Sequence, residues 1–383
     1  MIATEGERAI AERIAEARAP LSVVGAGTKA GMLRPVRAGG EISATGLTGI
    51  TLYAPKELII SALAGTKLRE VEAAVAAEGQ HLIAEPPDFS ALLGTAEGAQ
   101  TLGGVVATNL SGPRRIAWGA TRDHVMGVRA VTGRGEVIHS GGRVLKNVTG
   151  LDLCKLLTGS HGTLGVITEV TLKVLPGPEQ TGTIVIHGLD AAKAVGVLSA
   201  ALGSPFGVSG AAWLPESRDE RSRTLIRIED FAASVAYRTE KLRRDLGYAD
   251  ADLLDDAMSR PLWRAIRDAR PLRVREAVWR VSVRPSRGPA VLRAVPEMDG
   301  FLDWGGGLVW LSGPADEASH RAIEAAALAA GGTWMLMKAP DALRSAMHVV
   351  PPEVRPLAAI TRRVKEAMDP RGILNPGRIY AGI

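Results

Sequence analysis

The sequence predicts an α+β protein of two or three domains, and three observations support that class. At 383 residues the chain exceeds what one small core organises. Helix-period segments alternate with strand runs, and beyond residue 182 that mixture reads as an α+β domain. Between the halves lies a Pro/Gly-rich break, LPGPEQTG at 175–182, the best candidate boundary.

The elements follow from local pattern. Glu7 to Arg18 reads as a helix with Ile10, Ile14 and Ala17 on one face. PLSVVGAGTKAG reads as a strand running into a glycine-rich turn. ELIISALAGTKLREVEAAVAAEG reads as a strand, a Gly-Thr turn and a helix striped by Leu68, Val71 and Val75 and stopped by Gly79. HVMGVRAVTGRGEVIHSGG is a hairpin signal, two β-branched runs joined through Thr-Gly-Arg-Gly. From Val166 the alternation predicts a half-buried strand: Val166, Thr168, Val170, Leu172 and Val174 face one way, Glu169, Thr171 and Lys173 the other. Beyond the break, AVWRVSVRP and GGLVWL read as strands. VVPPEVRP precedes a helix from Leu357 to Met368, and the chain closes on DPRGILNPGRIYAGI.

Composition narrows the function classes. Hydrophobic residues make up 46% and charged residues 23%, the balance of a soluble globular protein. No apolar run reaches the roughly 18 residues of a membrane span. The N-terminal stretch lacks the apolar centre of a signal peptide, so a cytoplasmic location is expected. The one cysteine, Cys154, excludes internal disulfides and an iron–sulfur cluster held by several cysteines of this chain. The formal charge is +5. Its dense part runs from Arg260 to Arg293, with ten arginines against Asp268 and Glu276. That tract reads as a solvated helix face followed by a strand with outward charges, or as a seat for a small anion or an acidic partner. No nucleic-acid-binding signature is present.

Three glycine-rich segments in the first half point to a ligand. GAGTKAG, from Gly25 to Gly31, misses the dinucleotide fingerprint because its third glycine comes one residue late; a tight turn without ligand is the alternative. In TLGGVVATNLSGPRR, Gly103 and Gly104 would let backbone N–H groups approach a ligand, and a short helix would open towards an anion; a buried loop is the alternative. GSHGTLGVITEV places three glycines and small hydroxyl residues directly before a strand, more than a turn alone needs. Together the three suit an elongated anionic cofactor.

GAGT, TLGGVVATNLSG, RDHVMGVRAVTGRGEV, GSHGTLGVITEVTLKV and DPRGILNPGRI together resemble the FAD-binding family of vanillyl-alcohol oxidase and p-cresol methylhydroxylase (PCMH). Within it, AEPPDF, SGPRR, GRVLKNVTGLDLCKLLTGS and LKVLPGP resemble the FAD-binding E subunits of bacterial glycolate oxidase. The resemblance covers most of the first 180 residues and the last dozen; the middle matches more loosely, through LWRAIRD and WRVSV. It implies a PCMH-type FAD-binding domain of two α+β subdomains at 1–176, a smaller α+β cap at 177–340 that meets substrate or partner, and a segment at 341–383 returning to the FAD site. It implies FAD contacts from Gly25, Ala26, Gly27, Thr28 and Lys29 to the pyrophosphate. Thr101, Leu102, Gly103 and Gly104 would lie against the ribityl and flavin part, with Thr108, Ser111, Gly112 and Arg114 continuing and Pro86 of AEPPDF nearby. Gly162, Thr163, Gly165, Val166 and Ile167 would close the other side, and Asn375 and Arg378 would return to the isoalloxazine edge. Some members tether FAD through a histidine near a glycine-rich loop. Gly25–Ala30 and Gly103–Asn109 contain none, which implies non-covalent FAD.

Oxidising a 2-hydroxy acid on a flavin needs a base for the hydroxyl proton and a cation for the carboxylate. Arg275, Arg280 and Arg284, on or near a strand, are candidates for the cation. His161 lies inside the third motif and reads first as a hydrogen-bonded turn residue. The chain lacks the HxGDGNxH-type motif of related dehydrogenases, and no histidine pair has metal-ligand spacing, so no metal is expected. The resemblance therefore implies a subunit of a glycolate-oxidising complex with a second FAD-binding subunit and an iron–sulfur subunit, attached to the inner membrane, if at all, through those partners. A stand-alone FAD-dependent 2-hydroxy-acid dehydrogenase and a non-catalytic FAD-binding assembly subunit remain the alternatives.

Overall fold

The structure is a computed structural model that describes residues 5–142, 151–217, 220–273 and 275–383. Residues 143–150 of the GRVLKNVTGLDLCKLLTGS motif lie outside the described residues. The chain separates into two units. The first comprises Met1–Ser111, Gly119–Gly177 and Pro352–Ile383; the second comprises Gly112–Trp118 and Pro178–Pro351.

In the first unit, β1 (Leu21–Val24) pairs in parallel with β2 (Gly40–Ser43). Six further strands follow: β3 (Ile50–Ala54), β4 (Ile59–Leu63), β5 (Gln80–Leu82), β6 (Val125–Val131), β7 (Val137–Gly141) and β8 (Val166–Pro176). They form an antiparallel sheet in the order β3-β4-β8-β6-β7, with β5 also pairing with β8. The β6–β7 hairpin and the alternating burial of β8 are those the sequence predicts. The helix Leu68–Ala77 buries Leu68, Val71 and Val75 and ends before Gly79, whose φ of +66° the missing Cβ permits. That stripe packs with Leu102, Val106, Val128, Val170 and Val174 into the main core of the unit. A second cluster joins Ile10, Ile14, Leu21, Ile42, Val131, Val166 and Leu374. The first helix spans Glu5–Glu16 and stops short of Arg18, because Ala19 precedes Pro20 and is disfavoured in helical backbone.

The second unit is built on one eight-stranded antiparallel sheet. Its strands are β9 (Gln180–His187), β10 (Val208–Leu214), β11 (Arg223–Asp230), β12 (Asp252–Leu254), β13 (Ala277–Ser282), β14 (Asp299–Asp303), β15 (Leu308–Gly313) and β16 (Thr333–Lys338). The order is β12-β9-β11-β10-β14-β15-β13-β16. Two buried tryptophans anchor helices on it. Trp263 donates from Nε1 to Thr183 Oγ1 at 2.9 Å, and Trp279 donates from Nε1 to His320 Nδ1 at 3.1 Å. Residues 341–351, expected with the returning segment, fold here instead: Leu336 N donates to Val349 O at 2.8 Å, and Leu343 and Arg344 are buried. The return to the first unit begins at Pro352.

Candidate functional site

The three glycine motifs converge within the first unit. The GAGTKAG turn leaves β1 against Thr101: a Cβ on Gly25 would lie 2.3 Å from Thr101 Oγ1. Thr101 caps the helix Leu102–Thr108, its hydroxyl accepting from Gly104 N at 3.3 Å. The far end of that helix meets the third motif, where Gly159 N donates to Val106 O at 3.1 Å and His161 N to Ala107 O at 2.8 Å. Gly162 sits at φ +73°, with Asn375 Nδ2 only 2.8 Å from where a Cβ would stand.

The C-terminal segment staples these loops. Asn375 accepts from Val23 N at 2.8 Å and donates to His161 O at 2.8 Å. Arg378 donates to Lys29 O at 2.8 Å, Ala30 O at 3.2 Å and Arg34 O at 2.8 Å. Sequence reading missed Lys365, which is buried and donates to Thr163 O, Asp369 Oδ2 and Leu374 O. Its signal was a lysine four residues before an aspartate at a helix end.

The remaining predicted residues are placed as follows. Gly103 packs on β4: its N–H donates to Ala64 O, and a Cβ would stand 2.7 Å from Ala64 Cβ, so the protein already fills that space. Gly104 is half-buried, with only Thr101 Oγ1 within 4 Å of its Cβ position, and of the pair it stays approachable. Thr108 turns its hydroxyl back to Gly104 O. Ser111 is buried and bonds with Thr121. Pro86 is buried beside Leu102, Val105 and Val106. Gly165 is buried, and Val166 and Ile167 open β8. Ala26 and Gly27 are exposed, and Gly27 adopts φ +70° with open space around it.

This surface fits an extended phosphate-bearing group. Ser160 Oγ, buried between Gly159 and His161, has no hydrogen-bond partner among the described residues. Lys29 Nζ reaches Gln100 Oε1 at 3.0 Å, and burial pulls Lys29 down to about 8 against the attraction of Asp88. An unpartnered hydroxyl, an unblocked turn and a desolvated cation meet one need, an anion that arrives with its own oxygens. His161 is a turn residue at φ +54°. Burial first, and the Arg378 charge second, push its ring down to about 3, so it is neutral near pH 7.

Gly112 and Arg114, read above as cofactor contacts, fold with the second unit. Gly112 O accepts from Trp304 Nε1 at 3.1 Å, and Arg114 forms a two-pronged pair with Glu229 at 2.6 and 3.0 Å. The arginine tract largely resolves into local pairs: Arg260 with Asp256, Arg267 with the buried Asp268, and Arg275, exposed, with Glu297 O. Arg284 is exposed before a 3-10 turn. Arg280, half-buried, differs in lying over the Trp304 ring. Among the described residues no helix is long and apolar enough to cross a membrane.

Comparison with known proteins agrees with this geometry. The FAD binding domain family matches residues 4–141. Over 381 residues the chain is 32% identical to glycolate oxidase subunit GlcE of Escherichia coli (strain K12), spanning 98% of this chain and 97% of that protein. A D-lactate dehydrogenase of Anaerostipes hadrus is 35% identical over 184 residues, 48% of this chain and 37% of that one. Glycolate oxidase subunit GlcD of Bacillus subtilis (strain 168) is 39% identical over 109 residues, 28% of this chain and 22% of that one. Of solved structures, an alkyldihydroxyacetonephosphate synthase superposes with a TM-score of 0.72 at 18% identity, covering 97% of this chain and 74% of that one, a likeness of fold. The fold is α+β of the PCMH type, and the cofactor is FAD. With near-complete reciprocal coverage added to a matching FAD domain, the chain belongs to the GlcE family of FAD-binding glycolate oxidase subunits.

Proposed function

We propose that this chain is the FAD-binding subunit of a cytoplasmic glycolate oxidase complex that converts glycolate to glyoxylate. The observation behind this reading is the match to GlcE across 98% of the chain, supported by loops whose geometry suits a phosphate-bearing cofactor. FAD, when bound, supplies the two-electron acceptor for the hydride leaving the 2-hydroxy acid. The chain's own residues do the rest of the holding. Gly27 and Gly104 leave backbone open to the cofactor, Lys29 presents a desolvated cation, and Asn375, Arg378 and Lys365 fix the loops against one another. The substrate hydroxyl releases its proton to a base, and the neutral ring of His161 is too weak an acceptor for that work. The two electrons leave to an iron–sulfur partner, because Cys154, the only cysteine, is buried with Sγ donating to Ser140 O. The weak basicity of His161 supports a second reading, an FAD-binding assembly subunit whose homologous partner performs the oxidation.

The test is to purify the chain alone and with a co-expressed second FAD-binding subunit and a cysteine-rich subunit, then add glycolate or D-lactate without oxygen. Bleaching of the flavin by glycolate, with dye reduction only in the assembled complex, is the expected result. Full-rate oxidation by the chain alone would favour a stand-alone dehydrogenase. Bleaching confined to the partner's flavin would favour the assembly reading.

A further inference from the structure

Two lysines serve the loops of the first unit, and the fold treats their amines oppositely. Lys365 is buried, and its Nζ donates to three acceptors: Thr163 O at 2.7 Å, Asp369 Oδ2 at 2.8 Å and Leu374 O at 2.9 Å. A carboxylate is among them, and no side of that nitrogen is left open. Lys29 is the contrast. It is half-buried, and its Nζ has one close polar contact, Gln100 Oε1 at 3.0 Å, with Thr28 Oγ1 farther off at 3.4 Å. Both partners are neutral. Asp88 attracts the amine without an ion pair, its carboxylate accepting from Ser90 N at 3.0 Å and Gly98 N at 2.7 Å.

An amine held this way keeps a usable lone pair. Burial pulls Lys29 down to about 8, because desolvation penalises the ammonium and no carboxylate contact restores it. Near pH 7 about one such amine in ten is neutral, against about one in 2,500 for a lysine at its ordinary value. The neutral amine is the form that attacks carbonyl carbon.

The turn around Lys29 also draws an anion towards it. Ala26 and Gly27 are exposed, and Gly27 has open space about it. Arg378 donates to the carbonyls of Lys29, Ala30 and Arg34, which fixes a guanidinium charge on the same turn. A small anion that settles here comes to rest beside a nucleophile. If that anion carries an aldehyde, the amine nitrogen bonds to the aldehyde carbon. The aldehyde oxygen then departs with both amine protons as water, and a C=N bond replaces the C=O bond. The exchange is redox-neutral and reversible.

We propose that Lys29 is a carbonyl-modification site: when FAD is not bound, its amine condenses with a small aldehyde that bears an anionic group. FAD and such an aldehyde compete for the same turn, so the aldehyde slows loading of the cofactor. That glyoxylate is an aldehyde this protein meets rests on the glycolate reading above; the reactive amine does not.

The experiment is reductive trapping with glyoxylate as the probe. The full chain, at graded flavin occupancy and with native circular dichroism, is incubated with glyoxylate and cyanoborohydride. The hydride reagent reduces the imine to carboxymethyl-lysine, and the labelled peptides are mapped by mass. At pH 7 Lys29 is expected to label about tenfold or more faster than the exposed Lys56. Its labelling should fall in proportion as flavin occupancy rises, and its rate should climb with pH and level off above about 8. Gln100→Glu sets a carboxylate beside the amine, favours the ammonium and should slow Lys29 about tenfold at pH 7. If that variant does not fold, the pH profile of the wild type decides. Lys29→Arg should lose this label alone. Propanal, which is neutral, should be disfavoured relative to glyoxylate more strongly at Lys29 than at Lys56. Equal rates at Lys29 and Lys56, labelling indifferent to flavin, an unchanged rate in Gln100→Glu, or the same aldehyde preference at both lysines overturns the proposal. Trapping at Lys29 in a chain whose flavin glycolate never bleaches keeps the site and removes the glycolate reading. Glycolate oxidation by a chain in which Lys29 is never trapped keeps that reading and removes the site.

Discussion

Gly25→Ala isolates the contact on which the cofactor loops depend. Gly25 lies outside the left-handed region, so alanine meets no backbone penalty there and the added methyl acts by contact alone. That methyl would stand 2.3 Å from Thr101 Oγ1, against 3.4 Å or more for ordinary contact. Thr101 must turn away and release Gly104 N, at a cost of about 1 kcal/mol for the lost cap. Residual overpacking adds about 1–3 kcal/mol. If the loss falls wholly on cofactor binding, about 2–4 kcal/mol weakens FAD roughly 30- to 1,000-fold. Thr101→Ala removes the offending oxygen and leaves Cβ at 3.5 Å, so the double variant should cost only the cap, about 1 kcal/mol. Thr101→Ala alone also loses the cap, about 1 kcal/mol, so the pair is non-additive by about 2–4 kcal/mol. Flavin fluorescence titration of the three variants, beside thermal unfolding, measures this. Wild-type affinity and stability in Gly25→Ala, or a double variant equal to the sum of the singles, would refute the reasoning.

The neighbouring glycines should separate: Gly103→Ala, pressed on Ala64, lowers stability by about 1–3 kcal/mol in thermal unfolding, whereas Gly104→Val keeps its circular dichroism and loses flavin. Full occupancy in Gly104→Val would make that stretch an ordinary turn. Lys29, lowered to about 8, is cationic below that pH, and a bound pyrophosphate favours the cation. FAD affinity should accordingly fall by up to about tenfold per pH unit above 8, and Lys29→Met should flatten the profile. Glu229→Gln leaves Arg114 and Arg227 buried without their carboxylate and should cost about 3–5 kcal/mol. The Glu229 carboxyl is held well below the usual range, chiefly by Arg227 and then Arg114 against the cost of burial, so its contribution is complete above about pH 4.3 and fades only as acid drives the pH below that. A difference in unfolding between wild type and variant that vanished at pH 6 would contradict it. Acid precipitation should release all yellow colour into the supernatant, and flavin kept in the pellet would mark a covalent link.

Much of the cofactor side was legible in the chain. Backbone preferences and the two burial periods are local, so Gly79, the 166–174 alternation and the hairpin at 125–141 could be read directly. The three glycine motifs announced a long anion and, with the family resemblance, FAD. What local pattern does not encode is which space a missing Cβ leaves open. Gly103 and Gly104 are adjacent and alike in sequence, yet one is filled by Ala64 and the other is not. Nor does it encode which charges find partners. Arg114 reads as part of the cofactor motif but pairs with Glu229, 115 residues on, and ten similar arginines conceal the one that stacks on the Trp304 ring. Asn375 holds Val23 across 352 residues of sequence. Burial and pairing are properties of contacts made after the chain has closed on itself, and they separate residues that composition and spacing treat as equivalent.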